Sequence, residues 1–223
     1  MSKYVLVPDS FKGTMTSREI CEIMQHAIER IDSDAKIISV PVADGGEGSV
    51  DAFLSALGGK RKAITVTGPH FEKLSSSYGI TDDGTAVIEM SACAGLPLVY
   101  GKKNPELTTT YGVGELICNA ARSGAKRIVI GLGGSATNDG GCGAVAAAGI
   151  KFYDKSGKSF IPVGRTLKDI ASIDYSGLDS ALSGVSISAM CDVDNPLLGE
   201  TGAANVFGPQ KGANVAMIAR LDA

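Results

Sequence analysis

Glycines, hydroxyls and carboxylates gather in a few short polar runs of this 223-residue chain. The densest holds Gly131, Gly133, Gly134, Ser135, Thr137, Asn138, Asp139, Gly140 and Gly141. It follows the apolar run Ile128-Val129-Ile130 and precedes an alanine-rich stretch at 144–148, which reads as strand, glycine-rich loop, helix. Glycines let backbone N–H groups approach an anion, and a helix start adds partial positive charge, so phosphate is the ligand this loop suits. The candidate phosphate-binding residues are Gly133, Gly134, Ser135, Asn138, Asp139, Gly140 and Gly141. Two other readings compete: an ordinary strand-to-helix turn, and the dinucleotide pattern Gly131-x-Gly133-x-x-Ala136 with Asp154 as ribose acid. The latter wants a helix directly after its third small residue, and Thr137-Asn138-Asp139-Gly140-Gly141 starts one poorly.

Acidic residues recur where strands are expected to end: Asp9, Asp44, then Asp192 and Asp194. One such Asp is usually a helix cap. Three such loops beside a phosphate-type loop suit holding Mg2+ against phosphate oxygens, or taking a proton from an attacking hydroxyl. Asp192 and Asp194 share a side in an extended segment, so one ion could use both. Lys12 and Lys211 stand in the glycine-containing runs Phe-Lys-Gly and Gln-Lys-Gly, where a mobile ammonium can reach a transferring phosphate. Gly157-Lys158-Ser159 is not a Walker loop, because Phe152 occupies its first glycine position; it reads as a hairpin turn. A serine triad lacks both its elbow glycine and a supply of histidines, of which there are two.

These loops need a scaffold. Strands are expected at 3–7 and 37–42, each followed by a helix, the first opened by the capping box Thr16-x-x-Glu19. Ile20, Ile23, Met24, Ala27, Ile28 and Ile31 repeat at helical spacing and predict one buried face. The β-α-β-α alternation predicts a parallel sheet with ligands at the carboxyl ends of its strands. A strand at 63–67 and a hairpin about Asp82-Asp83-Gly84 predict a mixed second sheet, and a further strand is expected at 185–190. Residues 213–223 read as helix without packing partners. Composition is that of a globular protein with interspersed charge, net −3. No basic stripe suggests nucleic acid and no apolar run reaches membrane-spanning length. The five scattered cysteines suggest reduced thiols. With no signal peptide expected, the reading is a cytoplasmic protein.

Six motifs together resemble the type 1 glycerate kinase family. They are Val7-Pro8-Asp9-Ser10-Phe11-Lys12-Gly13, Pro41-Val42-Ala43-Asp44-Gly45-Gly46-Glu47-Gly48, and Leu107-Thr108-Thr109-Thr110-Tyr111-Gly112-Val113-Gly114-Glu115. The other three are 133–141, Cys191-Asp192-Val193-Asp194-Asn195-Pro196-Leu197, and Val206-Phe207-Gly208-Pro209-Gln210-Lys211-Gly212. The resemblance implies ATP- and Mg2+-dependent phosphorylation of D-glycerate, by a fold of two α/β domains, one Rossmann-like and the other inserted. Residues 1–68 would be the N-terminal part of the first domain, whose C-terminal complement is missing here, and 69–223 the second domain. Asp192 and Lys12 are then expected to be catalytic and Asp192 with Asp194 to hold metal. Asp9, Ser10, Asp44, Gly45 and Gly46 would orient glycerate, and Lys211 would join the ATP-binding loop. A nicotinamide-dependent oxidoreductase and a truncated, non-catalytic remnant are the alternatives. A homodimer is allowed for.

Overall fold

The computed structural model describes residues 1–11 and 13–223; Lys12, expected to be catalytic, lies outside the described residues. β1 (Lys3–Leu6) and β2 (Lys36–Ser39) form a two-stranded parallel sheet joined by α1 (Ser17–Glu29). The capping box forms: Thr16 accepts from the Glu19 N–H at 3.2 Å and its own N–H donates to Glu19 Oε2 at 2.7 Å. The predicted apolar face of α1 is only partly buried. Ile20 packs inward, but Ile23 is 56% exposed, because β1 and β2 alone offer too little surface to cover it; the helix ends at Glu29, short of Ile31. α2 (Ser49–Leu57) follows and packs on the next sheet.

The chain then forms β3 (Lys60–Thr67), β4 (Lys73–Ile80), β5 (Thr85–Glu89), α3 (Ser91–Ala94), α4 (Tyr111–Arg122) and β6 (Arg127–Gly131). After α5 (Cys142–Ala147), the strands β7 (Lys151–Tyr153), β8 (Ser159–Phe160) and β9 (Ser172–Asp174) make a small antiparallel sheet, as the hairpin reading of 157–159 expects. β10 (Ser186–Met190) returns to complete a five-stranded mixed sheet in the order β10-β6-β5-β4-β3. β10, β6 and β5 are parallel; β4 and β3 are antiparallel additions. Val66, Tyr78, Ile88, Leu116 and Ile128 fill the space between this sheet and α4. Glycines make that approach possible: a Cβ on Gly112 would stand 2.0 Å from the Thr67 carbonyl oxygen, and one on Gly114 2.0 Å from that of Ala144.

β3 pairs with β4 over its whole length, so residues 60–67, on the near side of the division expected at residue 68, hydrogen-bond into the five-stranded sheet. At the far end, α6 (Ala203–Phe207) and α7 (Val215–Leu221) pack together. The helix expected to lack partners has them. Leu221 is buried, and Arg220 clasps the buried Glu106 through two nitrogens at 2.6 and 3.1 Å.

Candidate active site

Met190, Gly131 and Glu89 are register partners on β10, β6 and β5, so three parallel strands end flush. The loops leaving them share one edge, the carboxyl edge where open α/β sheets take ligands. Residues 44–46 lie across it. The Gly133 N–H donates to the Gly45 carbonyl at 3.1 Å and the Leu132 N–H to that of Met190 at 3.3 Å. A Cβ on Gly131 would stand 2.1 Å from Gly45 O, and one on Gly133 2.8 Å from Gly46 Cα. Two backbones this close leave no room for side chains, which explains the glycines on both loops. Asp44 Oδ1 in turn accepts from the Gly46 N–H at 3.0 Å.

The far side of the glycine-rich loop is clamped from within. Asp139 is buried, and its carboxylate accepts from Thr110 N–H (2.7 Å), Thr110 Oγ1 (2.9 Å), Gly141 N–H (3.1 Å) and Gly143 N–H (3.2 Å). The Cys142 N–H donates to the Asp139 carbonyl. The Asp139 carboxyl itself takes up N–H groups at the start of α5. Burial pushes its carboxyl up from the ordinary value, while the donors from Thr110, Gly141 and Gly143 pull it back. Thr108 adds a second clamp, donating to the Ala136 carbonyl at 2.9 Å. α5 begins at Cys142, six residues beyond Ala136. The helix that the dinucleotide pattern demands is therefore not there.

Lys211 supplies the cation. It is buried, and its Nζ donates to Ser135 Oγ at 3.0 Å and to the Thr137 carbonyl at 2.6 Å. Loss of water lowers its pKa to about 8, with the charge of Asp139 opposing the shift. Lys211 lines a crevice of 220 Å³ with Gly133, Gly134, Ser135, Cys191 and Asp192. It also lines a cavity of 630 Å³ that takes in Asn138, Gly140 and Gly141. Ser135, Leu132 and Lys211 line both. Three expected residues stand apart. Ser10 faces a separate 300 Å³ hollow with Thr14, Glu47 and Gly48, and Asp9 accepts from the Ser10 N–H at 2.7 Å. Asp194 is exposed and lines neither cavity beside Lys211.

Residues 4–223 match the sequence profile of the glycerate kinase family. The chain belongs to the glycerate kinase family. Among similar proteins, the glycerate 2-kinase of Escherichia coli (strain K12) is 49% identical over 99% of this chain and 58% of its own. The glycerate kinase of Bacillus subtilis (strain 168) is 48% identical over the same shares. A crystal structure described as glycerate kinase 2 of Salmonella typhimurium LT2 superposes with a TM-score of 0.86 at 44% identity, over 99% of this chain and 60% of that one. The chain thus spans about three fifths of the length of these relatives.

Family motifs noticed only as strings acquire jobs in the fold. Thr108 and Thr110 hold the glycine-rich loop, and Gly112 and Gly114 bring α4 against its neighbours. Glu89 was missed altogether. It is buried at the end of β5 and accepts from the Val50 N–H at 2.7 Å, in the first turn of α2. It ties the helix that follows residues 44–48 to the five-stranded sheet. Burial pushes its carboxyl up, and the Val50 N–H pulls it back. A lone Glu closing an apolar strand carries no signal of this kind in sequence.

Proposed function

We propose that the chain carries the phosphoryl-transfer site of a glycerate kinase, moving the γ-phosphoryl of ATP to a hydroxyl of D-glycerate. The observation that carries the reading is the buried Lys211 ammonium on Ser135, in a crevice that also holds Gly133, Gly134 and Asp192. Such chemistry is mostly positioning and charge neutralisation. Lys211 screens the charge on the moving phosphoryl, and backbone of the glycine-rich loop cradles it. Asp192 either accepts the hydroxyl proton or holds Mg2+. Asp44, Gly45 and Gly46 orient the three-carbon acid beside Gly133. Asp9, Ser10 and Lys12 are assigned to the acid from sequence alone, Ser10 lining a separate hollow. Asp139 shapes the loop from inside.

Among the described residues no group of three or more His, Cys, Asp or Glu side chains is placed to hold a metal ion. Mg2+ needs no such cage, since one or two carboxylates together with substrate phosphates and water complete its octahedron. Asp192, exposed beside the phosphate loop, suits that arrangement, with Asp194 two residues on as a second carboxylate. Bound there, Mg2+ would neutralise phosphate charge. No described helix is long and apolar enough to cross a membrane, and a cytoplasmic enzyme without nucleic-acid partners goes with this reading. A homodimer is the assembly to test.

Purified protein with ATP, Mg2+ and D-glycerate decides the matter. Phosphoglycerate formation that is lost in Asp192→Asn is the expected result. Turnover undiminished in that variant removes Asp192 from its role. Calorimetric binding of glycerate and nucleotide with no product at all would select the non-catalytic remnant.

A further inference from the structure

Lys211 reaches the site from a short turn. Pro209–Lys211 stands between two glycines, with Gly208 before it and Gly212, at φ +93°, after it. Its own bonds are few: the Lys211 N–H donates to the Gly208 carbonyl at 3.0 Å and the Gly212 N–H to that of Pro209 at 3.0 Å. So short a turn between flexible residues has little of its own to hold a lysine out of water, and hydration of the ammonium acts to draw it outward. Lys103 opposes that pull. Its Nζ donates to the Gln210 carbonyl at 3.0 Å. Gly212 lies so close that a Cβ there would stand 2.6 Å from Lys103 Cβ and 2.9 Å from its carbonyl oxygen.

Further along the same run, Thr108 donates to the Ala136 carbonyl of the glycine-rich loop at 2.9 Å. The contacts close a ring: Lys103 to Gln210, Lys211 to Ser135 and Thr137, Ala136 to Thr108, and the chain from Thr108 back to Lys103. An ammonium has three N–H groups. Ser135 and Thr137 take two of those on Lys211, which leaves the third for a substrate oxygen, and the placing of the turn sets its direction. We infer that Lys103 is a positioning residue for phosphoryl transfer. It pins the turn that carries Lys211, so that the ammonium keeps its two acceptors and aims its remaining N–H at the reacting phosphoryl. The inference rests on the kinase reading above. Such a residue matters because a displacement of about 1 Å at a catalytic group can cost roughly a hundredfold in rate.

Four forms of the whole chain test it: wild type, Lys103→Met, Lys103→Arg and Gly212→Ala. Lys103→Met keeps the aliphatic stem and removes the donor, whereas Gly212→Ala keeps every charge and forces the turn away from Lys103. Two quantities are read. One is steady-state turnover with ATP, Mg2+ and D-glycerate; the other is the titration of Lys211, followed by NMR of labelled lysine side chains and identified by its loss in Lys211→Met. Asp139, Asp192, Arg165, Lys168 and Arg220, the charged groups around Lys211, are the same in all four. Lys103→Met and Gly212→Ala are each expected to lower kcat about tenfold, with both KM values within about threefold. Each is also expected to move the Lys211 midpoint from about 8 toward 10.5, by about half a unit or more, as the ammonium gains water. Lys103→Arg, which keeps a cation and a donor, is expected to restore both values. A Lys211 midpoint unmoved in Lys103→Met overturns the role whatever the turnover. So does a shift that Lys103→Arg leaves in place or that Gly212→Ala does not share. Absence of turnover in the wild type removes the kinase reading, and the titration still decides whether Lys103 pins the turn.

Discussion

Lys211 has a folded pKa near 8 against 10.5 for an ordinary lysine, because burial removes water from its ammonium. Between those values the unfolded chain holds more protons than the folded one, so this residue's contribution to stability rises with pH from about 8 to 10.5. Below pH 8 both states are charged and the burial cost stands in full. Urea unfolding at pH 8 and pH 10 should show that rise in the wild type and lose it in Lys211→Met; parallel changes in the two proteins would refute the assignment. Turnover should move the other way. The free enzyme needs the charged form, so kcat/KM falls as pH rises through about 8, while bound phosphate restores the ammonium and moves the kcat limb higher. Lys211→Met is expected to lose about a hundredfold or more in kcat. Sequence marked Lys211 as one of two lysines in glycine-bearing runs and put Lys12 ahead of it as the catalytic one, since burial is not a property of the run. Asp139 makes the converse case. As a string it belongs to a phosphate loop, and only its four donors reveal that the carboxylate faces inward. Asp139→Ala leaves those donors unpaired, and a loss of about 2–4 kcal/mol in urea unfolding is expected.

Local signals worked where one element decides its own form. The Thr16–Glu19 box, the hairpin at residues 82–84 and α7 all involve neighbours within a few residues, and all formed as read. Elements fail to announce their partners. α1 has the apolar spacing of a helix covered along one face, yet Ile23 is exposed, since periodicity records a preference for burial and not the surface that provides it. The α4–α5 contact is the strongest test at this scale. Gly114→Ala would drive a Cβ to 2.0 Å from the Ala144 carbonyl oxygen, forcing apart two helices that Thr110 and Asp139 bind together. A loss of about 2–3 kcal/mol in unfolding free energy is expected, with circular dichroism showing the helices retained. Unchanged stability would mean that the helices have room to separate.

Across the molecule, Glu89 joins the part built on β1 and β2 to the five-stranded sheet. Its carboxyl is raised by burial, so the stability it contributes is complete below the unfolded carboxylate value and declines as pH rises through the folded one. Glu89→Gln keeps an acceptor for the Val50 N–H without a buried charge and should be at least as stable as wild type at neutral pH. Glu89→Ala should be about 1–3 kcal/mol less stable and raise the KM for D-glycerate more than that for ATP, because residues 44–48 lose their anchor. Equal effects on both substrates would count against a role in placing that loop. Sequence by itself determined the strands, their glycine-bearing exits and the family likeness, because each depends on residues close together along the chain. Only the tertiary structure decided that residues 44–46, 131–135 and 190–192 share one wall, that Lys211 lines two cavities, and that Ser10 lies in a separate hollow. Those outcomes come from strand order, register and the close approach of distant glycines, and they are sums over contacts that no single stretch of sequence contains.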